Sequence, residues 1–321
     1  MPRDGTVYSH MPYLGETAAL ATALLWAFTT LFFAEAGRRI GSFQVNVIRL
    51  GIAVGLYAVF VPFVVTDTPG LMAATRSQWF WMILSGVVGL AVGDGCGFKA
   101  LVMIGPRLTT LLYASAPVWA TIIAWIFLGE TLGGWHLLGM AMTLGGIAWV
   151  ILERRYESPS GVRPAADHPD SGSLGRGVLM GTLAGLSQAT GLVMAKQAIM
   201  ASQPPLDPMA VSFGRMLAAC GSMLVWALIL GRGGRLVTAL RDWRAIGQCA
   251  GGATVGPFLG VWMSLVAVSL IATGVAATLN AMTPVMILPI VVWFYGERVS
   301  PRAVAGAVLA VAGAAVLYLV P

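Results

Sequence analysis

The sequence predicts an all-α polytopic membrane protein, with ten transmembrane helices arranged as two inverted five-helix repeats. Composition is the first reason. Hydrophobic residues make up 58% of the chain, charged residues only 10%, and mean hydropathy is +0.82, whereas a soluble domain carries roughly 25% charged residues. An internal repeat is the second. Pro117, Gly129 and Glu130 recur 167 residues later as Pro284, Gly296 and Glu297, and each copy is an apolar run with proline near its middle, closed by Gly-Glu. The third is the count of spans. Five apolar segments lie on either side of one polar stretch, and five is odd, so the second unit crosses the membrane in the opposite direction to the first.

Each span follows from the need for about 20 apolar residues per crossing. The first runs from Leu14 to Ala36 and stops at the turn residues Gly37-Arg38-Arg39. The second, Phe43 to Val65, stops at Asp67-Thr68-Pro69-Gly70. The third, Trp79 to Val102, contains Gly86, Gly89, Gly93, Gly95 and Gly97, which let helix backbones approach closely. Gly105-Pro106-Arg107 separates it from the fourth, Thr109 to Leu128, which holds Pro117. The fifth, Trp135 to Leu152, opens on an interfacial tryptophan. A polar stretch with Pro159, Pro164 and Pro169 follows and reads as a flexible linker. The sixth span is Val178 to Ala198, ended by Ser202-Gln203-Pro204-Pro205, and the seventh is Pro208 to Leu230, ended by Gly231-Arg232-Gly233-Gly234. The eighth, Ile246 to Leu270, carries Gly251, Gly252, Gly256 and Gly260; the ninth, Thr273 to Phe294, carries Pro284; the tenth is Ala303 to Val320. The expected organisation is a tail at 1–13, one repeat at 14–152, a linker at 153–173 and a second repeat at 174–321.

Composition also limits function. Cys96, Cys220 and Cys249 sit in apolar runs without metal-ligand spacing, and His10, His136 and His168 lie near segment ends or in the linker, so no metal or other cofactor is expected. The net charge of +6 has no basic helix to gather on, which argues against nucleic acid as a partner and for a membrane surface. Ala34-Glu35-Ala36 has a cleavage-site form, but the run before it is too long for a signal peptide. Thirteen arginines, among them Arg38, Arg39, Arg107 and Arg232, fall on one side of the membrane. The positive-inside rule makes that side cytoplasmic and puts both termini outside.

These residues resemble the ten-helix EamA-type transporters of the drug/metabolite transporter superfamily. The resemblance rests on Arg49 and Arg215 early in the second helix of each half, Asp242-Trp243 before a third helix and Gly105-Pro106 opening a fourth. Pro117, Pro284 and the two closing Gly-Glu pairs complete it. It implies an exporter or exchanger of small metabolites or drugs in the plasma membrane, a bacterial inner membrane in particular. It also implies four-helix groups that rock around a central cavity, with the fifth and tenth helices more peripheral. Members usually have cytoplasmic termini, which conflicts with the arginine distribution.

Buried ionisable groups call for a partner or a use. Arg49 lies roughly 9 Å inside the second span and Asp94 roughly 12 Å inside the third, on the same side, at 1.5 Å per residue. An ion pair is therefore expected. It serves either as a fixed scaffold or as a proton-carrying coupling site, because burial raises a carboxyl pKa while a guanidinium lowers it. Arg215 matches Arg49, but the region matching Asp94 is Val261-Trp262, which supplies no acid. Arg215 then receives a substrate anion, snorkels, or pairs with a group such as Asp207. Pro117 frees the carbonyl of Tyr113, and Pro284 frees that of Asn280, so both fourth helices should bend near mid-membrane. Tyr113, Ser115 and Trp119 would line one side of the cavity and Asn280 and Thr283 the other, with Ser187 and Gln188 nearby; a helix kink relieved by neighbouring side chains is the alternative. Glu35, Lys99 and Lys196 are expected to snorkel from span ends.

Taken together, the sequence favours a secondary transporter of small organic metabolites such as amino acids or drugs, working by alternating access. Its partners are the bilayer and a small-molecule substrate, with protons and a second copy of the chain as options. A non-transporting sensor or scaffold would normally append a soluble domain. An intramembrane enzyme would need a motif such as HExxH or GxSxG, and neither occurs.

Overall fold

The computed structural model describes residues 13–66, 70–153, 174–287, 289 and 300–319. All regular structure among them is helical: α1 Leu14–Ile40, α2 Ser42–Val64, α3 Arg76–Ser85, α4 Gly93–Tyr113, α5 Ala116–Leu128, α6 Gly134–Glu153, α7 Leu174–Met200, α8 Pro208–Ile229, α9 Gly233–Ala239, α10 Trp243–Ala253, α11 Val261–Leu270, α12 Thr273–Asn280 and α13 Pro301–Leu319. Nine described helical stretches are long and apolar enough to cross a membrane, and Thr273–Ile287 is a shorter apolar tenth. The tail, the linker from residue 154, Asp67-Thr68-Pro69 and the Gly296-Glu297 pair lie outside the described residues.

Several boundaries differ from the sequence reading. Arg38 and Arg39 do not form a turn but close the last turn of α1, where cations suit the carbonyl end of the helix dipole. The break falls at Gly41 instead, with φ of 85°. Helix α9, between the seventh and eighth spans, has no periodic signal long enough to predict it. The backbone is helical from Gly93 to Tyr113, yet a Cβ on Gly97 would fall 3.4 Å from the Tyr113 ring. Sixteen residues of straight helix would hold them roughly 24 Å apart. The chain therefore doubles back within α4, in the stretch where Gly105-Pro106 lies.

The repeat is inverted. Helices α6 and α13 pack antiparallel, with Gly139 against Leu317 and Gly313, Gly146 against Gly306 and Ala310, and Gly306 against Val150. Gly139 and Gly306 are counterparts at the 167-residue offset, and so are Gly146 and Gly313. The Thr143 hydroxyl reaches the carbonyl of its own counterpart, Ala310, at 3.5 Å. A residue meets its counterpart only near the axis relating the two units. Because the helices are antiparallel there, that axis is perpendicular to them and lies in the membrane plane.

Other glycines join the first helix of each half to the third span of the other. Along α1, Phe32, Thr29 and Trp26 face Gly251, Gly256 and Gly260 in turn. Along α7, Gly191, Ser187 and Ala184 face Gly89, Gly93 and Gly97. Both third spans contain a π-helical segment, Gly86–Val92 and Thr254–Gly260. Such bulges free carbonyls and are frequent at functional sites. The buried Tyr57 hydroxyl donates to the Phe258 carbonyl at 2.7 Å and covers one end of the second bulge.

The α6–α13 contact gives a direct test of this packing. A Cβ on Gly146 would lie 2.4 Å from the Ala310 nitrogen and 2.5 Å from the Gly306 carbonyl, whereas one on Gly145 would meet nothing within 4 Å. Gly146→Ala is expected to lower stability by about 1–3 kcal/mol through forced separation of the helices. Gly145→Ala should leave it unchanged or slightly raised. Thermal unfolding in detergent compares the two, and equal melting would contradict the close approach.

Candidate functional site

Arg49 is the best-held charge in the membrane-spanning region. It projects from α2 with its side chain only 5% exposed and pairs with Asp94, at the start of α4 just beyond the first π segment. Its Nε donates to Asn46 Oδ1 at 2.8 Å, and its guanidinium lies 5.4 Å from the Phe33 ring centre and 5.8 Å from that of Phe98. The second Asp94 oxygen accepts from Gln188 Nε2 at 3.3 Å. Tyr113 lies beside Gln188 and Asp94. The sequence placed Arg49, Asp94, Gln188 and Tyr113 on four spans, and the fold gathers them into one network. Asn46 is a member that sequence reasoning missed; its position one turn before Arg49 was the available signal.

Arg215 is the counterpart on α8 and is 3% exposed. Its guanidinium makes no hydrogen bond or ion pair among the described residues, and its Nε is buried without a partner. Burial this complete excludes snorkelling. Asp207 does not pair with it and instead caps α8 by accepting from the Met209 amide at 2.7 Å. Arg215 stands within electrostatic reach of Tyr57 and Asp94.

The fourth spans of the two halves cross antiparallel, with a Cβ on Gly274 falling against Thr121 and Ala277 clustering with Trp119. Each is interrupted at the same repeat position, by turns at Ala114-Ser115 and Ala281-Met282. Pro117 consequently sits in the first turn of α5, where a missing N–H is tolerated, and not in a helix interior as the sequence suggested. Ser115 bonds the Leu112 carbonyl at 2.6 Å, and Thr283 bonds the carbonyls of Asn280 and Ala23, both at 3.2 Å. Thr283, one residue before Pro284, thus ties this break to α1. Asn280 Nδ2 donates to Ser264 Oγ at 2.8 Å, leaving Asn280 Oδ1 buried without a partner. The indole nitrogens of Trp119 and Trp262 are likewise unpartnered. Ser187 lies against Gly93, whereas Ala189, two residues further along α7, packs in the cluster with Trp119 and Ala277.

A second charged cluster was not anticipated. Lys196, expected to snorkel, is buried on α7 and forms an ion pair with Glu130 at 2.7 Å while donating to the Ile271 carbonyl at 2.8 Å. Glu130 also accepts from the Thr273 amide at 2.6 Å and the Thr273 hydroxyl at 3.0 Å, capping α12. Gly129, with φ of 66°, turns the chain so that Glu130 can reach it. The Gly-Glu motif of the first half therefore clamps the end of α5 to two elements of the second half. At the membrane surface Asp242 caps α10 through the Ala245 amide at 3.1 Å and receives Arg39 Nε at 2.9 Å. The Arg39 hydrogen bond holds its carboxyl below the ordinary carboxylate range, so this contribution is present at neutral pH and fades on acidification through the lowered value.

Fold and charges define a class: a multi-pass helical membrane protein built from an inverted repeat, with ionisable groups buried where its halves meet. The EamA-like transporter family model matches residues 13–152 and again 175–319. The chain belongs to this family, within the drug/metabolite transporter superfamily, and is a transporter rather than an enzyme. One solved crystal structure superposes with a TM-score of 0.69 over 95% of this chain and 96% of its own; at 17% identity the likeness is one of fold. No curated protein matches.

Proposed function

We propose that this chain is a secondary transporter that exports or exchanges small organic metabolites, such as amino acids or drugs, by alternating access in the plasma membrane. The observation that supports this most is the antiparallel crossing of the two fourth spans, each broken at the same repeat position, with unpartnered polar atoms of Trp119 and Asn280 beside it. Buried polar atoms of this kind suit a wet or ligand-filled space better than a sealed one. The first four-helix groups of the units at 14–152 and 174–321 rock against each other about this crossing, with the fifth and tenth helices more peripheral. Tyr113, Ser115, Trp119, Ser187, Gln188, Arg215, Asn280 and Thr283 contribute the cavity surface, and Pro117 and Pro284 mark the hinges. Asp94 is the coupling candidate: its carboxylate is largely buried and shared between Arg49 and Gln188 of the two halves, so a rearrangement that separates these partners would favour proton uptake.

Proteoliposome flux of a panel of amino acids and drugs, with and without an imposed pH gradient, tests the reading. Accumulation or counterflow of at least one solute is expected, and absence of flux for every solute would overturn it. Gradient-driven flux in Asp94→Asn equal to that of the parent would remove Asp94 from the coupling role.

A further inference from the structure

We propose that Arg215 receives an ionised carboxylate of the transported molecule, so that the substrates are organic monocarboxylates, amino acids included. The inference rests on the transporter reading above, and two arginines that the repeat makes equivalent carry it. Arg49 is held by Asn46, Asp94, Phe33 and Phe98. The offset of 166 residues that takes Arg49 to Arg215 takes Asn46 to Ser212, and the 167-residue offset takes Asp94 to Val261 and Phe98 to Leu265. None of these replacements holds a guanidinium. The Ser212 hydroxyl donates to its own helix at Pro208 O, 2.8 Å away, and Val261 and Leu265 are buried hydrocarbon.

Arg215 is left with its charge buried and no hydrogen-bond partner among the described residues. The two ionisable groups within its electrostatic reach are already engaged. Asp94 is bonded to Arg49 and Gln188, and the Tyr57 hydroxyl donates to Phe258 O. An unpaired buried charge costs several kcal/mol, and among the described residues no hydrogen bond or ion pair to Arg215 offsets that cost. An arriving anion does. The cluster holds two guanidiniums and one carboxylate, an excess of one positive charge, which a single carboxylate neutralises. A phosphate monoester, with roughly −1.5 to −2 charges at neutral pH, would overshoot. The planar guanidinium fork also matches the two carboxylate oxygens.

The test uses the full chain in lipid nanodiscs, titrated with matched probes: phenylacetate against phenylacetamide, leucine against leucinamide, and phenyl phosphate as a third arm. Thermal stabilisation and tryptophan fluorescence report binding. The parent is expected to bind at least one carboxylate at least tenfold more tightly than its amide. Arg215→Gln should lose that preference, and Arg215→Lys should keep part of it. Without ligand, Arg215→Gln should melt no lower than the parent, since it removes an uncompensated charge; a markedly lower melting point would reveal a structural partner and overturn the assignment. Equal binding of carboxylates and amides, no carboxylate binding by the parent, a preference kept in Arg215→Gln, or tighter binding of phenyl phosphate would also overturn it. Counterflow of neutral or cationic solutes alone would sink the carboxylate assignment and leave the transporter reading standing, whereas loss of all counterflow sinks the transporter reading.

Discussion

Asp94→Asn is expected to destabilise the protein by about 3–5 kcal/mol, because it leaves Arg49 buried against an uncharged amide. The size of the effect follows from the site. Both side chains are largely buried, at 5% and 12% exposure, and Asp94 also joins α4 to α7 of the other half through Gln188. Replacing both charges should recover much of the loss, so Arg49→Gln with Asp94→Asn should cost less than the sum of the single changes. Thermal unfolding of the four proteins in one detergent measures this coupling. An Asp94→Asn variant as stable as the parent, or strictly additive effects, would show that the pair contributes nothing.

Glu130→Gln should have the second largest effect, a loss of about 3 kcal/mol or more, from a mostly buried pair with 9% and 17% side-chain exposure. Glutamine keeps the shape, and its oxygen can still accept from the Thr273 amide, so the change isolates the charge. Glu130→Ala removes the cap as well and should cost about 1 kcal/mol more. Because the clamp joins α5 of the first half to α7 and α12 of the second, its loss should also loosen that end of the molecule. Faster hydrogen exchange at the start of α12 would report this. A Glu130→Gln protein with parental melting and exchange would show that the cluster is not a clamp.

The two charge clusters differ in how legible they were. Arg49 and Asp94 could be paired from sequence because a fixed rise per residue converts position into depth, and both lie at similar depth on consecutive spans. The same reasoning misplaced Lys196. Its depth, within two turns of a span end, suits snorkelling, but Glu130 stands 66 residues earlier in the chain and nothing local links them. The bend of both fourth spans was legible from proline. Its location was not, since the breaks fall at Ala114-Ser115 and Ala281-Met282, whose sequences carry no strong turn signal. The π segments were invisible too, because the glycines in the first of them have a sufficient explanation in close packing.

Hydropathy and the 167-residue repeat determined by themselves that the chain crosses a membrane many times and that its halves are inverted, because a bilayer imposes a length on every span and an odd number of spans imposes a direction. Tertiary structure alone decided which faces meet: Gly89 on Gly191, Glu130 on Lys196, and Arg215 without a hydrogen-bond or ion-pair partner among the described residues. In lipid the outside of a helix is as apolar as its packed side. Rotation about each helix axis therefore leaves little trace in the sequence, and it is that rotation which gives Arg49 a partner and withholds one from Arg215.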